Sequence, residues 1–103
     1  MSKKNVEAAA KALTKAQENH KRLVGERDKL GSALRVKREH LADDIANGAD
    51  IEAASDKIAH LERQAAAASA AGDLSKRRIA DGQAALMGAL EQQAHADIAA
   101  LHK

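Results

Sequence analysis

Large aliphatic residues recur along this chain at the spacing of one helix face. In the first half they fall at Val6, Leu13, Leu23, Val24, Leu30, Leu34, Leu41 and Ile45, with Ala9 and Ala16 in the intervening turns. Gaps of 7 residues (Val6 to Leu13, Leu23 to Leu30) and of 11 (Leu23 to Leu34, Leu30 to Leu41, Leu34 to Ile45) both return to the same side of a helix. The pattern predicts one helix from about residue 4 to 46, with Asn5 or Ser2 as its N-cap. In the second half Ile51, Ile58, Leu61, Ala65, Leu74, Ile79, Leu86, Leu90, Ala94, Ile98 and Leu101 predict another helix over about 50–101.

The stop between them is Ala46-Asn47-Gly48-Ala49-Asp50. Asn47-Gly48 suits the left-handed conformation that closes a helix, and Asp50 is a natural N-cap for the next one. Glu52 then sits where the helix dipole favours negative charge. So short a turn makes its two helices antiparallel neighbours. Gly72-Asp73-Leu74-Ser75 is a second candidate boundary at 72–75, where an unbroken or kinked helix is favoured over a split. Gly82 and Gly88 weaken the same helix.

A turn centred between residues 48 and 49 sets residue i opposite residue 97 − i. Ile45 then meets Ile51, Leu41 meets Ile58, and Leu34 meets Leu61 and Ala65. Leu23 and Val24 meet Leu74, Ala16 meets Ile79, Leu13 meets Ala84 and Leu86, and Val6 meets Leu90. Gly25, Gly31 and Ala33 come opposite the 65–71 alanine tract, where close helix approach is expected. The expected fold is all-α: a long, coiled-coil-like antiparallel helical hairpin, one domain over 1–103, belonging to an oligomeric helical bundle.

Composition sharpens this picture. The chain has no Pro, Cys, Phe, Tyr or Trp, and 26 of its 103 residues are Ala. Setting Met1 aside, 19 large aliphatic side chains remain, too few and too small for a compact globule but enough for narrow helix contacts. Without cysteine there is neither a disulfide nor a thiolate site. The longest uncharged stretches, 64–72 and 82–90, run nine residues each and are too short to cross a membrane. The opening Met-Ser-Lys-Lys-Asn has no apolar signal region, so a cytoplasmic protein is expected, or a virion-associated one if a phage encodes it.

Candidate chemistry is sparse. Of the five histidines, His20, His40, His60, His95 and His102, His40 with Asp44 and His60 with Asp56 have the spacing of helical metal ligands. They match no recognised motif, so no metal and no cofactor are expected. His20 falls on the apolar face and reads as a polar core position that fixes register. Ser55, Asp56 and His60 are close in sequence, but consecutive helical turns cannot build an oxyanion hole beside a nucleophile. No enzyme and no small-molecule substrate are expected.

Charge offers a different lead. Residues 1–49 carry eleven Lys and Arg against seven Asp and Glu; residues 50–103 carry six against eight. Lys21-Arg22, Arg35-Lys37-Arg38 and Lys76-Arg77-Arg78 are basic clusters, and the hairpin would set the first and third at one height as a phosphate-binding belt. Glu18, Asp73 and Asp81 lie one turn away and can neutralise it, and no aromatic residue is present to stack on a base.

The favoured function is therefore structural: a small assembly, scaffold or adaptor protein of the compositionally plain kind associated with phages and other mobile elements. Its expected partners are itself, as a dimer or higher, and another protein. The expected interface comprises Leu23, Leu30, Leu34, Leu41, Ile45, Ile51, Ile58, Leu61, Leu74, Ile79, Leu86, Leu90, Ile98 and Leu101. The last two lie in a stretch, 97–103, that the pairing leaves without a counterpart. The alternative is a nucleic-acid accessory protein using Lys21, Arg22, Lys76, Arg77 and Arg78.

Overall fold

The computed structural model describes residues 2–101. They form two helices and the turn between them: α1, Ser2–Ala46, and α2, Ile51–Leu101. The helices pack as a hairpin, and no strand occurs among the described residues. The all-α hairpin expected from the sequence is the fold observed. α2 runs unbroken through Gly72-Asp73-Leu74-Ser75, so that stretch divides nothing. α1 begins earlier than expected and has both Ser2 and Asn5 inside it, so Asn5 is not its cap.

One glycine makes the reversal. Gly48 has φ of +103°, and no other described residue has a positive φ. Its amide donates to the Ile45 carbonyl at 3.1 Å, and the Ala49 amide donates to the Asp44 carbonyl at 2.9 Å. These paired 5→2 and 6→1 bonds are the Schellman closure, which satisfies carbonyls that a helix end otherwise leaves open. Asp50 starts α2 as expected: its Oδ2 accepts from the Ala53 amide at 3.0 Å, while its carbonyl takes the first helical bond from Ala54. Glu52 occupies the first turn.

The packing divides into two units. Unit 2 is the turn-bearing stretch Arg22–Gly72, and unit 1 joins Met1–Lys21 with Asp73–Lys103. In unit 2 one row of buried or half-buried positions is Leu23, Leu30, Leu34, Leu41 and Ile45 on α1, with Ala54, Ile58, Leu61, Ala65, Ala68 and Gly72 on α2; Val24, Ala59, Ser69 and Ala71 are half-buried beside it. In unit 1 they include Val6, Ala9, Leu13, Ala16 and His20 on α1, with Ser75, Ile79, Gly82, Leu86, Ala89 and Gln93 on α2. Within these rows the named α2 positions alternate spacings of four and three in both units. That is the heptad pattern of a coiled-coil seam, which keeps one stripe turned towards the partner helix.

The seam corrects the expected pairing in detail. Residue 13 lies against residue 82 rather than 84, since a Cβ built on Gly82 would stand 3.3 Å from Leu13 Cδ1. Leu74 and Leu90 are half-exposed, and the adjacent Ser75 and Ala89 are the buried residues. Ile51, expected to meet Ile45, is 63% exposed. The close approach predicted at Gly25, Gly31 and Ala33 is absent. All three are exposed, and nothing lies within 4 Å of a Cβ at either glycine. At about 100° per residue, Gly25 points away from the Leu30–Leu34 stripe, and Gly31 and Ala33 lie on its two flanks.

These environments predict opposite outcomes for one substitution. Gly25→Ala and Gly31→Ala should each raise stability by up to about 1 kcal/mol, because Ala is the better helix former and meets no neighbour. Gly82→Ala should recover little of that, since Leu13 must move aside. Gly48→Ala should cost about 1–2 kcal/mol by forcing a Cβ into left-handed backbone. Urea unfolding followed by far-UV circular dichroism ranks the four variants.

Candidate interaction surface

The most buried polar side chain among the described residues is Ser75, 3% exposed. Its Oγ lies 2.6 Å from His20 Nδ1, and both residues occupy seam positions of unit 1. A hydroxyl and an imidazole satisfy one another here at a level where an aliphatic pair would pack in any register. The reading of His20 as a polar seam residue fits this geometry. Ser75 went unnoticed in the sequence because neighbouring Leu74 is the larger apolar residue; the unbroken four–three spacing from Ala54 to Gln93 is the signal that identifies it.

Beside the turn, unit 2 has an open cavity of about 680 Å³. Leu41, Ala53, Ala54 and Ile58 give it an apolar lining, and Asp44, Asp50, Asp56, Lys37, Lys57 and His60 ring it with charge of both signs. It brings together Asp44, Asp56 and His60 of the weighed metal pairs, but His40 is not among its lining residues. Among the described residues no group of three or more His, Asp or Glu side chains is placed to hold a metal ion. Ser55, Asp56 and His60 are all exposed. His102 lies outside the described residues.

The expected interface residues separate into two sets. Leu23, Leu30, Leu34, Leu41, Ile45, Ile58, Leu61, Ile79 and Leu86 lie at or beside the seam, with Leu34 the most buried at 9% exposed. Ile51, Leu74, Leu90, Ile98 and Leu101 face outward, and Leu101 is 84% exposed. Met87, which the sequence reading counted but did not place on a face, joins them at 60%. Lys21, Lys76, Arg77 and Arg78 are exposed in unit 1; Arg22 is exposed and belongs to unit 2. On unit 2, Arg38 donates to Glu62 at 3.0 Å, an exposed pair of the kind worth less than about 1 kcal/mol.

No helix among the described residues is long and apolar enough to cross a membrane. The chain matches no known protein family, no curated protein and no solved structure. Its own surfaces are what a functional reading must use.

The His20–Ser75 pair can be weighed directly. His20→Ala and Ser75→Ala should each destabilise the chain, and a double-mutant cycle should return a coupling of about 0.5–1.5 kcal/mol. His20→Leu combined with Ser75→Ala should restore stability, as an apolar seam needs no hydrogen bond. Thermal unfolding of the cycle's four chains and of His20→Leu with Ser75→Ala measures both effects.

Proposed function

We propose that this chain is a non-enzymatic structural protein that acts by associating with itself and with a protein partner. Exposed area carries the reading. The chain leaves 7791 Å² accessible, and no described side chain is fully buried. A folded monomer of this mass, 10.9 kDa, averages about 5,600 Å². Covering the surplus between two copies would bury about 4,400 Å² in total, within the span of obligate homodimers.

The chemistry of the surface supports the same reading. Among the described residues neither cavity nor seam assembles a nucleophile with a base and an oxyanion site, and apart from Asn19, His20, Ser69 and Gln93 the half-buried groups are aliphatic or glycine. The nucleic-acid alternative has weaker support. Unit 1 carries nine Lys and Arg against six Asp and Glu, a modest surplus for a protein that must neutralise several phosphates.

Light scattering at micromolar concentration should return a dimer or larger. A fully helical monomer would contradict the proposal. Titration with duplex or single-stranded DNA should show weak binding with a shallow salt dependence; a steep one would favour the phosphate-binding belt instead.

A further inference from the structure

The outward-facing aliphatic residues are not scattered evenly. Val36, Ile51 and Leu74 stand singly, whereas Met87, Leu90, Ile98 and Leu101 share the last third of α2 with the exposed Ala94. At about 100° per residue, Met87, Leu90, Ala94, Ile98 and Leu101 form one stripe. It lies about 110° round the helix from the seam residues Gly82, Leu86, Ala89 and Gln93. α2 therefore presents a second apolar face while its first is engaged with α1. Stripes of this kind on a water-exposed helix mark a protein contact.

The spacing along the stripe is palindromic. From Met87 the steps are three, four, four and three, with Ala94 at the centre. A twofold axis beside Ala94 would set a second copy of α2 antiparallel to the first. Leu90 would then meet the second copy's Ile98, Met87 would meet its Leu101, and each Ala94 would meet its equivalent. Self-complementarity of this kind is what an isologous contact requires. The smallest side chain lies at the axis, where two identical residues must share one space. Glu91 and Asp97 lie on opposite edges of the stripe, and the rotation sets each on the same edge as its equivalent in the second copy, offset by about 9 Å along the helices.

We infer that a second copy of this chain covers the stripe, through an antiparallel α2–α2 contact centred on Ala94. This rests on the self-association reading above and draws on the same surplus of exposed area. A heterologous partner would have no reason to match a palindrome. A second copy does.

The chain contains no cysteine, so introduced thiols report on this contact alone. Under mild oxidation Ala94→Cys should give a covalent dimer. Leu90→Cys and Ile98→Cys should each stay monomeric on a denaturing gel yet cross-link when mixed. Within one helix those two positions stand about 12 Å apart, beyond disulfide reach, so only the antiparallel register brings them together. Circular dichroism checks that every variant stays helical. In parallel, Leu90→Glu with Ile98→Glu should raise the dissociation constant roughly a hundredfold or more.

A dimer by mass in which Ala94→Cys fails to cross-link, or in which Leu90→Cys and Ile98→Cys each cross-link alone, would overturn this interface and leave self-association standing. A helical monomer at micromolar concentration would remove both.

Discussion

Seam positions filled by small residues constrain everything else in this protein. Of the α2 seam positions, Ala54, Ala65, Ala68 and Gly72 lie in unit 2, and Ser75, Gly82 and Ala89 in unit 1. Such residues let backbones approach, as at Gly82 against Leu13, but contribute little apolar area. Leu30, Leu34, Leu41, Ile58 and Leu61 supply much of the area in unit 2; Leu13, Ile79 and Leu86 do so in unit 1. Even Leu34 keeps 9% of its surface exposed. Ordering the backbone costs roughly 1–2 kcal/mol per residue, and a seam this thin offsets little of it. The surface left over is therefore a consequence of the seam's composition.

The polar pair in unit 1 follows from the same thinness. A seam of alanines and glycines has few features to tell one heptad register from the next. His20 and Ser75 supply one, because a shift by a heptad would leave an imidazole and a hydroxyl half-buried without each other. Gly82 supplies another, since a Cβ there would stand 3.3 Å from Leu13 Cδ1 and that side chain would have to give by a few tenths of an ångström. Register is thus held by a hydrogen bond and a steric notch more than by large side chains.

Much of the fold was legible in the sequence because its signals are local. Gly48 and Asp50 announce a helix end and a helix start whatever surrounds them, and the absence of proline leaves nothing to interrupt the arms. The lateral pairing was harder to read. Tracking large aliphatics placed Leu74 and Leu90 at the contact, where Ser75 and Ala89 are buried, because in a narrow seam size is a poor guide to position. The small-residue argument failed at Gly25 and Gly31 for the same reason: small residues occur on both faces of an Ala-rich helix, and only heptad phase separates them. Of the outward stripe, Ile98 and Leu101 were legible as residues left without a counterpart; helical phase adds Met87, Leu90 and Ala94.

A protein whose own seam buries so little should fold and associate in one step. Thermal unfolding over a hundredfold range of protein concentration tests this most directly, because the midpoint of a dimer that unfolds to separate chains depends on concentration. The account predicts a midpoint that rises steadily with concentration, with helicity lost on dilution. A midpoint that stays constant across the range, with helicity intact at the lowest concentration, would contradict it.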